Sequence, residues 1–187
     1  MKDTRITRRA QILFFALSFL ITLLGAAKSY ADIVYEEAQC DSRAYDHDRR
    51  DWLLYASGFD DYAGRYGHSI DAVELWTSVE TLYKAHYKGG RWLPGVSSEV
   101  NDYAGIKGKP IDGISVAKTY DNYDDVLMNY QVHLKGNSWL PPVTGANIND
   151  SRNGYAGVLG REIDGFRLRI WTGIDDGIYI TDVIYVF

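Results

Sequence analysis

Along residues 82–88, LYKAHYK, large apolar or aromatic side chains alternate with polar ones, and residues 129–135, NYQVHLK, repeat the pattern. Period-two alternation puts successive side chains on opposite faces and marks a half-buried β-strand. IDGISVAK (111–118) and IDGFRLRIW (163–171) alternate in the same way after a glycine-rich turn. The stretch DAVELWTSVETLYKA (71–85) suggests a helix when taken alone. Aligned with its sister segments it reads as strand and turn instead. Pro94 and Pro141 have no N–H to give to a ladder, so the WLP segments are expected to end strands or to lie at an edge.

The sister segments exist because the chain writes one pattern three times, and periods of 20–50 residues fix an architecture. Trp52, Trp92 and Trp139 mark the copies, and the tripeptide YAG recurs at Tyr62, Tyr103 and Tyr155. An A-G-x-x-G-x-x-I-D-[AG] string follows from Ala63 to Ala72, Ala104 to Gly113 and Ala156 to Gly165. Its two glycines, three apart, suit a tight turn that needs positive φ or close backbone approach. In copies two and three it is preceded by Y-x-x-H-x-K-G-x-x-W-L-P-x-V, beginning at Tyr83 and at Tyr130. Copy one lacks the KG and the Pro, and its His47 sits one residue out of register. The copies span about residues 44–78, 82–120 and 129–172.

Three all-β units of this size predict one closed domain over residues 32–187 with pseudo-three-fold symmetry. A β-trefoil-like body is expected, and a three-sided β-prism is the alternative. Closure removes exposed edge strands. The tail DDGIYITDVIYVF (175–187) alternates with period two and is expected to pair near the start of the mature chain and close the structure.

These strings resemble the ChW repeat, the clostridial hydrophobic module with a conserved tryptophan found in secreted proteins of Gram-positive bacteria. Copy two matches it at Tyr83, His86, Trp92, Ala104, Gly105, Gly108, Ile111, Asp112, Gly113 and Ile114. Copy three matches it at Tyr130, His133, Trp139, Ala156, Gly157, Gly160, Ile163, Asp164, Gly165 and Phe166. The resemblance covers most of residues 45–170. It departs before each tryptophan, where Asp51, Arg91 and Ser138 replace the usual glycine. It implies attachment to surfaces, polysaccharides or partner proteins.

The N-terminus carries Lys2, Arg5, Arg8 and Arg9, then AQILFFALSFLITLLGAA, then Ser29 and Ala31 as a small-residue cleavage site. That is the plan of a secretory signal peptide over residues 1–31. A retained membrane anchor is the alternative, because the apolar run is near bilayer-spanning length. The segment holds five of the 20 Lys/Arg and one of the 25 Asp/Glu, so the mature chain has a net charge near −9. Nucleic acid is excluded as a partner on that charge. A neutral polysaccharide or a protein fits it, and no membrane partner is expected after cleavage. Cys40 is the single cysteine, so no disulfide forms within the chain.

Candidate chemistry centres on repeated positions. Trp52, Trp92 and Trp139 are either sugar-stacking platforms or plugs of their own units. Tyr62, Tyr103 and Tyr155 stand beside Asp61, Asp102 and Asn153, where they either hold a sugar or anchor the turn. Asp71, Asp112 and Asp164 belong to the candidate ligand-binding set, with acceptance of N–H bonds from the preceding turn as the simpler role. His86 and His133 read as satisfied, partly buried histidines, because no ligand-spaced cluster surrounds them. Cys40 reads as a buried thiol; pairing it with His47 as nucleophile and base has no support in spacing. The insertion NINDSRNG (147–154) could offer oxygens to Ca²⁺ but lacks EF-hand spacing and reads as a solvated turn. No cofactor, metal or catalytic residue is expected.

A catalytic centre needs unlike groups converging on one point, whereas triplication spreads like groups over three places, which suits multivalent binding. The expected function is a secreted, non-catalytic module that recognises a surface carbohydrate or cell-wall component. The alternatives are a protein–protein, assembly or inhibitor subunit, and a small secreted hydrolase.

Overall fold

The alternating segments become paired strands in the computed structural model, which describes residues 34–119, 126–144 and 154–174. The expected leader, the insertion through Asn153 and the closing tail lie outside the described residues. A short strand β1 (Val34–Ala38) leads in. Copy one supplies β2 (Cys40–Asp46), β3 (Asp51–Trp52), β4 (Ala56–Ser57), β5 (Ala63–Gly64) and β6 (Ile70–Thr77). Copy two supplies β7 (Thr81–Tyr87), β8 (Val96–Ser97), β9 (Ala104–Gly105) and β10 (Ile111–Lys118). Copy three supplies β11 (Val126–Leu134), β12 (Val143–Thr144), β13 (Ala156–Gly157) and β14 (Ile163–Ile174). Among the described residues there is no helix, and the 71–85 stretch is β6, a turn and β7. The protein is all-β.

Each copy folds its two long strands into an antiparallel pair: β2 with β6, β7 with β10, β11 with β14. A two-residue Ala-Gly strand then leaves its own copy. β9 of copy two pairs with β6 of copy one, β13 of copy three with β10 of copy two, and β5 of copy one with β14 of copy three. The exchange runs round a full cycle, so each copy donates to one neighbour and receives from the other. Among the described residues the result is three antiparallel sheets and no closed barrel. The sheet edge at copy three is covered by β1, which pairs with β14 from Val34↔Ile174 to Ala38↔Ile170. Among the described residues, the pairing that joins the start of the chain to the end of copy three is that of β1 with β14.

Burial follows the topology. β7 has one side of its alternating pattern in the core, whereas β10 is buried on both faces from Ile111 to Ala117 because the next copy packs on its far side. One apolar cluster takes Ile70, Val73 and Leu75 from copy one, Tyr83, Ile111 and Ile114 from copy two, and Tyr130, Ile163 and Phe166 from copy three. Each such side chain is worth about 1.5–3 kcal/mol on burial. Tyr83 and Tyr130 also donate from Oη to the carbonyls of Asp102 (2.8 Å) and Gly154 (3.1 Å), so their buried hydroxyls are satisfied.

At one end, all three copies meet in a polar cluster. Glu162 accepts from Lys88 (2.8 Å), Lys135 (3.2 Å) and Ser69 (2.5 Å), and Lys135 also donates to Ser69 (2.8 Å). These partners hold the Glu162 carboxyl down at about 2, with the Lys88 hydrogen bond as the largest cause.

Candidate functional site

The strand pairing skips one residue in every hairpin. Tyr45 faces Ala72 and Asp46 faces Ile70; His86 faces Gly113 and Tyr87 faces Ile111; His133 faces Gly165 and Leu134 faces Ile163. The skipped residues are Asp71, Asp112 and Asp164. A β-bulge re-aims the side chain of its extra residue, and here it sends each carboxylate inward, where exposure falls to 1%, 0% and 0%.

Each carboxylate spends one oxygen on a neighbour's glycine turn. Asp71 Oδ2 accepts from Gly108 N (2.6 Å), Asp112 Oδ2 from Gly160 N (2.6 Å) and Asp164 Oδ2 from Gly67 N (2.7 Å). The other oxygen takes a histidine Nδ1: His47 at 2.7 Å, His86 at 2.5 Å and His133 at 2.5 Å. An ionised carboxylate only accepts, so both partners donate. Two corrections follow. The turn bonded by each aspartate belongs to another copy, not to the segment just before it. The three aspartates are also buried with both oxygens engaged, one by a neighbouring copy's turn and the other by a histidine of its own copy, so they present no surface to a ligand.

The aromatic positions converge on the same seams. Trp52 meets Tyr103 edge-on at 5.5 Å between ring centroids, Trp92 meets Tyr155 at 5.3 Å, and Trp139 meets Tyr62 at 5.7 Å. In every case the tryptophan of one copy contacts the YAG tyrosine of another. None of the three tryptophans joins the central apolar cluster, and each is half-buried. Gly113 and Gly165 make room for them: a Cβ would lie 3.2 Å from Trp92 Cη2 at the first and 3.4 Å from Trp139 Cη2 at the second. His86 and His133 flank Trp92 and Trp139 at 5.4 and 5.5 Å. In copy one Tyr45 takes that place against Trp52, at 5.5 Å. His47 stands two residues further on, at the register of Lys88 and Lys135, and still reaches Asp71. Its offset in the ladder is thus two residues, not one.

The seams share a frame and differ in filling. At the second variable position of A-G-x-x-G stand Lys107, Leu159 and Tyr66. Lys107 is exposed, and its Nζ sits 4.9, 5.5 and 5.1 Å from the rings of Tyr45, Trp52 and Tyr103, a cation within reach of three aromatics. Tyr66 stacks on Tyr62 at 4.7 Å and accepts from Trp139 Nε1 at 3.0 Å. A further cation lies over each tryptophan: Arg43 at 4.8 Å from Trp52, Lys84 at 5.1 Å from Trp92, Arg167 at 4.4 Å from Trp139. Burial pushes the Tyr62 phenol up and the Lys84 ammonium down from their ordinary values. Reading the identities between copies passed over these residues. For Lys107, Leu159 and Tyr66 the signal is the variation inside an otherwise constant string, whereas Arg43, Lys84 and Arg167 lie outside that string.

Beside the seams lie two recesses. A groove of about 640 Å³ is lined by Trp52, Tyr55, Tyr62, Asp51, Asp61 and Arg49, among others. Two predicted aromatics from different seams thus share one groove. A second recess, about 470 Å³, is lined by Tyr45, His47, Asp48, Arg50, Lys107 and Gly108. Asp61 and Asp102 serve locally, accepting from the Tyr62 and Tyr103 amides at 2.8 Å. Cys40 is buried, and burial pushes its thiol up to about 12, which removes the thiolate a nucleophile requires.

No protein-family model, curated protein or solved structure matches the chain.

Proposed function

We propose that the protein is an exported, non-catalytic binding module for a surface carbohydrate or cell-wall component. The observation that carries this reading is the groove lined by Trp52, Tyr55 and Tyr62 with Asp51, Asp61 and Arg49. Its volume suits a small ligand or a stretch of polymer, and its lining mixes aromatic surface with a few polar groups. Aromatic rings pack on the apolar faces of sugar rings, while carboxylate and guanidinium groups bond the hydroxyls. The positions that resemble the ChW repeat are the ones that build the seams, which supports a module whose copies share a frame and vary in filling. Lys107, Leu159 and Tyr66 make the three seams chemically unlike, so the copies are not interchangeable sites. On this reading the three separate sheets favour the three-sided prism over the trefoil-like body.

The test is saturable uptake of the mature protein on insoluble polysaccharides and purified cell walls. Trp52→Ala and Tyr55→Ala are run beside it, with folding checked by circular dichroism. Binding by the parent and its loss in a folded variant sustain the proposal. Absence of saturable uptake on every material sinks it.

A second reading has its own observation. Trp76 is 58% exposed and Leu54 92% exposed, surfaces that a protein partner would cover. It predicts a co-purifying partner and no glycan response.

A further inference from the structure

Copy one departs from its sisters around a single corner, and the departures meet in space. Strand β2 ends in Asp46, at the register held by Tyr87 and Leu134. The turn that follows is one residue longer than its counterparts and carries Asp48. At the end of the glycine turn stands His68, where copies two and three have Lys109 and Arg161. One ligand atom from each of Asp46, Asp48 and His68 lies within 4.8 Å of the others. Asp48 Oδ2 is 2.7 Å from His68 Nδ1.

The buried member of this group is incomplete. Asp46 is fully buried, and its Oδ1 accepts from the amides of Asp48 and Arg49 at 2.9 and 3.0 Å. Its Oδ2, equally buried, has no hydrogen-bond partner. A buried carboxylate oxygen with no hydrogen bond is costly, and the only cation near it among the described residues is a distant one. The oxygen faces the cluster, since Arg65 spans the two: Nη2 lies 2.6 Å from His68 Nε2, and Nη1 makes a long ion pair with Asp46 Oδ2 at 3.8 Å, beyond hydrogen-bond reach. Arg65 is half-exposed on a long side chain, so a cation that binds better can send it into solvent.

We propose that Asp46, Asp48 and His68 form a binding site for a late first-row divalent cation of the Zn²⁺ class. Two carboxylates and an imidazole are a borderline donor set, suited to Zn²⁺ and poorly suited to Ca²⁺ or Mg²⁺, which prefer oxygen alone. Bonds of about 2.0–2.2 Å require the three donors to draw together from their present spacing, a movement that side-chain rotation of the exposed Asp48 and the half-buried His68 supplies. Three protein ligands leave a coordination position for water. The ion would tie the longer turn after β2 to the glycine turn before β6, and so fasten copy one, the only copy with this corner among the described residues. Sequence spacing hides the set because His68 lies far from the two aspartates along the chain.

The experiment is a Zn²⁺ titration by isothermal calorimetry on tag-free protein, with thermal unfolding measured at each zinc concentration. The expected result is saturable binding of one ion per chain, with a melting temperature that rises as zinc is added. Both His68→Ala and Asp48→Asn are expected to keep the parent circular dichroism and to bind at least about tenfold more weakly. Arg65→Ala removes the competing cation and is expected to bind more tightly than the parent. Zinc binding that survives in His68→Ala and Asp48→Asn would place the ion on another histidine and overturn the proposal. Absence of saturable binding in the parent overturns it as well.

Discussion

Replacing Gly105 by alanine drives a methyl group into the backbone of the neighbouring copy. A Cβ built there lies 2.2 Å from the carbonyl oxygen of Asp71 and 2.5 Å from the Ala72 Cα, at a φ of 141°. Backbone on both sides cannot yield as a flexible side chain would. β9 must therefore leave β6, giving up the pairs Ala72↔Gly105 and Val73↔Ala104 and loosening the Trp52–Tyr103 contact. Lost ladder bonds at about 1 kcal/mol each, an aromatic contact at about 0.5–1.5 kcal/mol and the strain of the new residue bring the cost to about 4 kcal/mol or more. Gly108, three residues on, is the internal control. It also has positive φ, 91°, but a Cβ there meets nothing within 4 Å. Gly108→Ala therefore costs only the left-handed backbone penalty, about 1–2 kcal/mol. The assay is urea unfolding of both variants beside the parent, followed by tryptophan fluorescence. In thermal melts of the same proteins, at about 2–4 °C per kcal/mol for a chain of this size, the midpoint should fall by ~8 °C or more in the first and ~2–8 °C in the second. If the two variants differ by less than about 0.5 kcal/mol, the Ala-Gly strands do not dock on their neighbours, and the cyclic exchange is refuted.

The remaining expectations concern the seams, the polar cluster and the thiol. Asp112→Asn either sets an NH₂ against the Gly160 amide, leaving buried donors unpaired, or sets it against His86 Nδ1, which must change tautomer to accept it. With the ionic bonds lost either way it should cost about 1–3 kcal/mol in denaturant unfolding; a neutral outcome would mean the bulged aspartate does not clasp the seam. Glu162 has its carboxyl lowered from 4.5 to about 2, so its contribution is fully present above pH 4.5 and is lost as pH falls from there toward 2. The shift alone would give about 3 kcal/mol, but Lys88 and Lys135 are 45% and 35% exposed, and screening reduces this to about 1–2 kcal/mol. Glu162→Gln should show that loss at neutral pH and a shallower decline below pH 4.5; equal slopes in parent and variant would remove the cluster's role. Cys40, buried with its thiol pushed up to about 12, should react with a thiol reagent only on unfolding, so fast labelling of folded protein at neutral pH would contradict its placement.

Period-two alternation at 82–88 and 129–135 determined by itself that these segments are strands, and repetition extended that reading to 71–85 against its helical composition. The glycines of A-G-x-x-G announced a tight turn that favours glycine, and three copies announced three-fold order. Which copy's turn docks on which aspartate was beyond the sequence. The turns of copies one, two and three carry the same glycines, and Asp71, Asp112 and Asp164 are chemically alike, so each aspartate could bond any of the three turns. Only the path of the chain decides, because the short Ala-Gly strand reaches the neighbour's sheet edge and not its own. The bulge that buries each aspartate is likewise a property of strand pairing, invisible until two strands are set side by side. The meeting of each tryptophan with another copy's tyrosine follows from that same docking. The Asp46, Asp48 and His68 corner shows the limit most plainly: residues that break the repeat look like noise along the chain, and folding brings them together.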